Sequence, residues 1–350
     1  YKQIYLKWFT HGQSWRVWNS RPFWNAIYQF DKRKLYKYYR IASGTSVRKI
    51  TRNYKELKLD FKKSNIFTLM KYKIISLLAL IFGCQTPISK NISEDGFTLN
   101  SDFKTYWFDG TAEISSFELV QTRYGEPRNG RAVLIYVTED FLTDIQVKAD
   151  QKSKKSKTVL KLNRTKNFVT GIYPYSIMNS SFTYLNDNDP LVKITTSIQE
   201  WCGQTYLQLN KKNRLNIKSH SYFEEEADQK INLKNGLTED ELWHWIRIAP
   251  MTLPQGEIQL LPAFEFLRLQ HKPIKFYKAL VNLKNFKDFN SYEINYPELK
   301  RKLTIDFEKT APYQIIKWEE VDLNNPDRVT IATKIKSLKL PYWQLNHLGD

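Results

Sequence analysis

Beyond residue 102 the chain is written in short runs of Val, Ile, Tyr, Phe and Thr separated by turn residues, which predicts antiparallel β structure. The first run, 103–108, ends at Asp109-Gly110, a strong turn pair leading into 112–124. A polar stretch from Gly125 to Gly130 then separates it from 131–138. There Ala132, Leu134 and Tyr136 alternate with Val133, Ile135 and Val137, as in a strand covered on both faces. Similar runs predict strands at 158–162, 168–173, 180–185, 191–199, 205–209 and 215–223, with a hairpin turn at 186–190. The series resumes at 257–261, 264–269, 274–283, 303–307, 313–319 and 329–340.

One helix interrupts it. Thr238-Glu239-Asp240-Glu241 has capping-box spacing, in which a threonine hydroxyl and a glutamate carboxylate satisfy the first free amides. Leu242, Trp245 and Ile246 then share one helical face, and Pro250 closes it. The expected fold is mainly β: an antiparallel barrel or strongly curved sheet with one short helix near 239–248. It occupies a β-rich domain, 103–345, as two halves meeting near 239–250. No internal repeat is visible.

A second beginning lies inside the chain. Met70 is followed by Lys71, Lys73 and a nine-residue apolar core, 74–82. Nine helical residues span roughly 14 Å, under half of a hydrocarbon layer of about 30 Å, so the segment reads as a signal-peptide core and not a membrane span. Leu80-Ile81-Phe82-Gly83-Cys84 resembles a bacterial lipobox: an aliphatic residue three before the cysteine, a small residue just before it, then the cysteine. Phe82 is bulkier than the residue usual at its position. The resemblance implies that 70–83 is a lipoprotein signal peptide and that Cys84, lipidated on its thiol, becomes the mature N-terminus. Residues 84–102, polar and punctuated by Pro87, Ser89 and Ser93, read as a tether. The lipid on Cys84 would make the membrane a partner and place the domain in the bacterial cell envelope. Gln85-Thr86-Pro87 carries no acidic cluster, which points to the periplasmic face of the outer membrane.

Charge changes meaning once divided this way. The whole chain carries 54 Lys+Arg against 36 Asp+Glu, a net +18 that ordinarily indicates nucleic acid or an anionic surface. Residues 1–69 hold 16 basic residues, 3 acidic ones and 16 aromatics, among them Trp8, Trp15, Trp18 and Trp24. Basic residues interleaved with aromatics suit single-stranded nucleic acid, but the segment has no sustained helical or strand period. It is expected to be upstream translation or a disordered extension. From Cys84 onward the balance is 36 basic to 33 acidic, only +3, and no nucleic-acid partner is expected.

Candidate chemistry is sparse. Gly125 and Gly130 have P-loop spacing, but Arg131-Ala132 stands where Lys-Ser/Thr would meet phosphate and magnesium. His244 has no His partner four residues away for a zinc-protease helix and reads as a half-exposed surface histidine. Cys202 with His220 is the weak catalytic candidate: a thiol nucleophile needs a nearby base and a lowered pKa. The alternative is a packed thiol near a turn. Glu224-Glu225-Glu226 with Asp228, and Asp187 with Asp189, offer hard oxygens but lack the glycine and distal glutamate of a calcium loop, so no metal and no cofactor is expected. Residues 172–178, Ile-Tyr-Pro-Tyr-Ser-Ile-Met, suit core packing or the lining of an apolar ligand pocket.

Between Tyr106 and about Leu283 the chain resembles a family of lipoproteins from the Bacteroidetes group. The shared phrases are Gln-Thr-Arg-Tyr-Gly-Glu (121–126), Val-Thr-Glu-Asp-Phe-Leu (137–142), Thr-Gly-Ile-Tyr-Pro-Tyr-Ser-Ile-Met (170–178), Gln-Glu-Trp-Cys-Gly (199–203) and Ser-His-Ser-Tyr-Phe-Glu (219–224). Members are often labelled septum formation inhibitor Maf. That label would imply a nucleoside-triphosphate pyrophosphatase with a Ser-Pro-Arg-Arg-type motif on an α/β fold; this chain contains neither Ser-Pro nor Arg-Arg. Residues 242–254 and 301–320 are faintly similar to periplasmic β-barrel domains. The function expected is a non-enzymatic envelope lipoprotein that binds an apolar small molecule or another envelope protein. The alternatives are an envelope hydrolase using Cys202 and His220, and the pyrophosphatase of the label, which is disfavoured.

Overall fold

Sixteen strands among the described residues form one sheet, and its first and last strands lie side by side at its middle. The computed structural model describes Leu99, residues 101–185 and residues 190–349. The expectations for 1–69, for the signal segment and for Cys84 lie outside those residues, as does most of the turn expected at 186–190.

One arm of the sheet runs in sequence order from β1 (Ala112–Arg123) and β2 (Glu126–Leu142) through β4 (Ser156–Thr170), β5 (Tyr173–Tyr184), β6 (Leu191–Glu200), β7 (Gly203–Lys211) and β8 (Leu215–Ser221) to β9 (Gln229–Leu233). Short β3 (Val147–Lys148) hangs on β2. The other arm runs from β10 (Leu237–Thr238) and β11 (Gly256–Leu261) through β12 (Tyr277–Asn285), β13 (Phe289–Tyr296), β14 (Arg301–Glu308) and β15 (Ile315–Asp322) to β16 (Val329–Leu340). Strand β1 pairs with β16, Ala112 opposite Leu340 and Val120 opposite Ile331. Every pairing is antiparallel except β10 with β11. The sheet is not closed, because β9 and β10 are its two edges. Yet only Lys234–Gly236 separates them, and four residue steps reach at most about 14 Å. The sheet is therefore strongly curved, with its edges brought close together. Phe276 packs across Gly236 in the intervening link, where a Cβ would come within 2.6 Å of the ring.

Inside the curve lie two helices, α2 (Glu239–Ile248) and α3 (Phe264–Leu269); a third, α1 (Ser101–Trp107), precedes β1. Trp107, Phe117, Leu134, Leu162, Trp243, Ile305 and Trp318 belong to the continuous core between sheet and helices. Trp318 stands edge-on to Trp243 at 5.5 Å and meets Phe117 at 4.7 Å, joining α2 to both arms. A smaller cluster, Phe141, Val159 and Val192, is separate from it.

The capping box forms as expected: Thr238 Oγ1 accepts from the Glu241 amide and Glu241 Oε2 accepts from the Thr238 amide, both at 3.3 Å. Two expected strands are helices instead. Phe103, Tyr106 and Trp107 sit at i, i+3 and i+4 and pack as one face of α1, with Trp107 buried. Phe264–Leu269 is too short for its period to decide. All six side chains are buried within the curve, so its amides are satisfied locally, by helical bonds. Only Tyr124-Gly125 turns the chain between β1 and β2, both with positive φ, the conformation of a tight hairpin. Gly130 is no turn residue: it lies within β2, where a Cβ would come within 2.4 Å of the Asn167 carbonyl oxygen. The runs expected at 158–162 and 168–173 are bridged by Arg164 and Lys166 into the single strand β4, which ends at Thr170.

Candidate functional site

Helix α2 has one apolar stripe, yet its charged residues are buried too. Glu239, Asp240, Glu241, His244 and Arg247 are each at most 2% exposed. A buried charge is tolerated only if it is paired and hydrogen-bonded, and the sheet supplies the partners from distant parts of the sequence.

At the C-terminal end, Arg247 makes two parallel bonds to Glu113 of β1, Nη1 to Oε1 at 2.7 Å and Nη2 to Oε2 at 2.6 Å. Its Nε donates to the Pro312 carbonyl at 2.8 Å. The guanidinium lies 4.5 Å from the Tyr136 ring centroid and 4.9 Å from that of Trp107, and Tyr106 donates to the same carboxylate. Burial pushes the Glu113 carboxyl up, but the charge and hydrogen bonds of Arg247 outweigh it and hold it below its ordinary value.

Midway, His244 Nε2 meets Ser181 Oγ at 2.8 Å while Nδ1 is unpartnered. Burial, with Arg164 and Arg247 nearby, lowers its pKa to about 3, so the ring is neutral. This corrects the expectation of a half-exposed surface histidine: the ring turns inward because β5 offers a hydroxyl at that level.

At the N-terminal end, Glu239 accepts from Arg301 Nη1 at 2.5 Å and Nη2 at 2.9 Å, and from Tyr296 at 2.9 Å. Arg301 also holds Glu320. Asp240 pairs with Arg164, whose guanidinium stands 4.5 Å from the Trp243 ring centroid. Burial raises the Asp240 carboxyl to about 6 against the pull of Arg164.

Beside this end the interior is unfilled. Because adjacent strands alternate in direction, the β1–β2 turn, the 297–300 link and the 323–328 loop lie along one rim. A cavity of about 360 Å³ is lined by residues of that rim and of the interior behind it. Its lining carries seven Arg or Lys and four Asp or Glu side chains. Arg301 is held by Glu239 and Glu320, Lys166 by Glu265 at 2.6 Å, and Arg164 by Asp240. Arg123, Lys272, Lys300 and Arg328 line it with no carboxylate partner among the described residues. Three buried polar atoms of lining residues have no hydrogen-bond partner: Arg164 Nε, Trp243 Nε1 and Gln121 Oε1. Gln121 is oriented by its own amide nitrogen, which donates to the Thr122 carbonyl and to Thr330, leaving the oxygen free to accept.

The residues singled out in the sequence lie elsewhere. Cys202 is exposed in the tight turn between β6 and β7, not packed, because that two-residue turn has no layer above it. Its amide donates to Glu200 Oε2 at 2.7 Å. Hydrogen bonding to the Glu200 carboxylate holds its thiol above the ordinary value, the opposite of an activated nucleophile. His220 stands opposite Tyr206 on the β7–β8 ladder and contacts Asp228 at 3.2 Å, so the structure does not bring it to Cys202. Glu226 is tied to Arg268 and His271, and no group of three or more His, Cys, Asp or Glu among the described residues is placed to hold a metal ion. Asp187 and Asp189 lie outside those residues. Of 172–178, Tyr175 and Ile177 enter the core, with Tyr175 stacked on Phe168 at 4.9 Å, while Ile172 and Met178 face outward.

The cavity and its charged frame were invisible to motif reading because, apart from Arg301–Glu320 at 19 positions, its pairs join residues 57 to 134 positions apart. The one available signal was that the helix 239–248 carries four charged side chains and one histidine yet sits among buried strands. No helix among the described residues is long and apolar enough to cross a membrane. No protein-family model matches the chain, and no curated protein is similar enough to count as a relative.

Proposed function

We propose that this chain is a lipid-anchored cell-envelope protein whose curved sheet binds a small molecule in the rim cavity and performs no chemistry on it. One observation carries the binding half: three side chains that line a cavity of about 360 Å³, from β1, β4 and α2, each keep a buried polar atom without a hydrogen-bond partner. That volume falls in the ordinary range for small-molecule sites, roughly 300–1,000 Å³, and such sites combine apolar walls with a few convergent polar groups. Leu134, Phe266, Leu269 and Trp318 supply the walls. The mixed lining favours a polar ligand with an apolar part over a wholly apolar one. A hydrolase reading draws no support from an exposed Cys202 beside Glu200. The pyrophosphatase reading draws none from an antiparallel sheet.

The anchor half rests on Lys71, Lys73, the apolar run and Gly83-Cys84. Labelled palmitate should enter the protein and not a Cys84→Ser variant; equal labelling of both would refute the anchor. For binding, native mass spectrometry of the protein taken from its own membranes should show a small-molecule adduct beyond the lipid. The adduct should be lost in a variant that fills the cavity, Ala263→Trp, with the fold retained by circular dichroism. Unchanged adduct in that variant would move the site elsewhere.

A further inference from the structure

We infer that the rim cavity is an oxyanion site, taking the carboxylate or phosphate end of a small organic molecule whose other end carries a hydrogen-bond donor. The inference rests on the binding reading above and names the ligand class for the same cavity.

Arg164 and Trp243 line the cavity, and each keeps a buried obligate donor, Nε and Nε1, without a partner; an oxyanion is the strongest acceptor that these donors meet once the side chains turn toward the cavity. They lie close together, since the Arg164 guanidinium stands 4.5 Å from the Trp243 ring centroid. Asp240 already neutralises part of the Arg164 charge, so that arginine is fixed in place before any ligand arrives. Arg123, Lys272, Lys300 and Arg328 have no carboxylate partner among the described residues, and with the carboxylate of Asp322 set against them the lining keeps an excess of three positive charges, seven against four. Arg123 is held by its bond to the Leu269 carbonyl at 2.8 Å. Arg328 is laid flat across Gly125, where a Cβ would come within 3.3 Å of its guanidinium. That excess of positive charge around one cavity raises the local concentration of anions and speeds their entry. The free Gln121 oxygen is the exception in this set: it repels an anion and accepts from a hydroxyl, amide or amine. An oxyanion with no second polar group leaves that oxygen without a partner.

Calorimetric titration of the full chain with inorganic phosphate, 6-hydroxyhexanoate, 6-hydroxyhexyl phosphate and neutral 1,6-hexanediol separates the outcomes. We expect saturable binding of at least one of the two bifunctional anions, tighter than the diol by tenfold or more. The carboxylate and phosphate arms identify which oxyanion is preferred. Raising salt from 50 to 500 mM should weaken that binding severalfold, because the cations at the mouth are solvent-accessible. Trp243→Phe keeps an aromatic side chain but removes the N–H, and Lys300→Gln with Arg328→Gln removes charge at the surface without touching the core. Each should weaken the anion by about tenfold and leave the diol unchanged. If the diol binds as well as either anion, the oxyanion assignment falls and the binding reading stands. If none of the four binds and no adduct is seen in the native mass spectrum, both fall and the unpartnered atoms are served by water. Anion binding that ignores all three substitutions would overturn the site itself.

Discussion

The two ends of α2 are built from the same parts and reach opposite results. At the C-terminal end Arg247 uses both terminal nitrogens on Glu113 and its Nε on Pro312, and two aromatic rings cover its faces. At the other end Arg164 meets Asp240 and a tryptophan face, but its Nε and the indole N–H have no acceptor, and both side chains line a cavity. Leaving a buried donor unpaired costs about 1–3 kcal/mol. A fold that fully satisfies one arginine and leaves the other incomplete separates a structural cross-link from a place for something else.

Breaking the saturated end should have the largest effect. Arg247→Leu strands the Glu113 carboxylate in the core, and losing one partner of a buried pair costs about 3–5 kcal/mol. Urea unfolding should show that loss, with much of it restored in the double variant Glu113→Leu/Arg247→Leu. A loss below about 1 kcal/mol would place the pair among the dispensable contacts.

Next comes acid sensitivity from the middle of the helix. The folded pKa of His244 is lowered to about 3 from an ordinary 6.5. Below pH 6.5 the unfolded chain takes up a proton that the folded one refuses, so stability falls as pH drops from 6.5 toward 3. Asp240, raised to about 6, works the other way: its contribution falls as pH rises from about 4 to 6. Replacing His244 with Gln should flatten the acid limb of a stability–pH curve, and Asp240→Asn should steepen the net loss on acidification. An unaltered acid limb in His244→Gln would mean the ring is protonated in the folded state.

The incomplete end should be less costly to change than Arg247. Without ligand, Trp243→Phe removes an unpartnered donor but leaves a hole beside Trp318, so its cost should stay below about 2 kcal/mol. A drop as large as that of Arg247→Leu would remove the contrast between the two ends. Smallest of all, Cys202→Ser in its exposed turn should change stability by less than about 0.5 kcal/mol.

Local signals were the legible ones. The Thr238–Glu241 capping box and the alternation of 329–340 announce their elements within a few residues. Phe289–Tyr296 went unread as a strand because its inward face holds Asn290, Tyr292 and Tyr296, whose hydroxyls bond Pro254 and Glu239 far along the chain. Arg164 disguised the middle of β4 for the same reason: a charge inside a strand reads as a break until its partner on α2 is known. His244 looked like a surface residue because its hydrogen-bond partner, Ser181, is 63 positions away. Candidate site residues chosen for reactivity, Cys202 and His220, are exposed and apart, whereas the cavity is framed by residues whose roles exist only in three dimensions.

Placing the first strand beside the last has a consequence for how the molecule is made. Ala112 finds its neighbour only when Leu340 exists, more than 220 residues later, so both arms wait with bare inner edges at β1 and β15 until β16 arrives between them. Such long-range closure is intrinsically slow, and bare edges invite pairing with other chains. A chain delivered end-first therefore carries an unfinished sheet until residue 340 is made. A stop codon shortly before Val329, which takes away the joining strand β16, would leave an aggregation-prone pair of half-sheets.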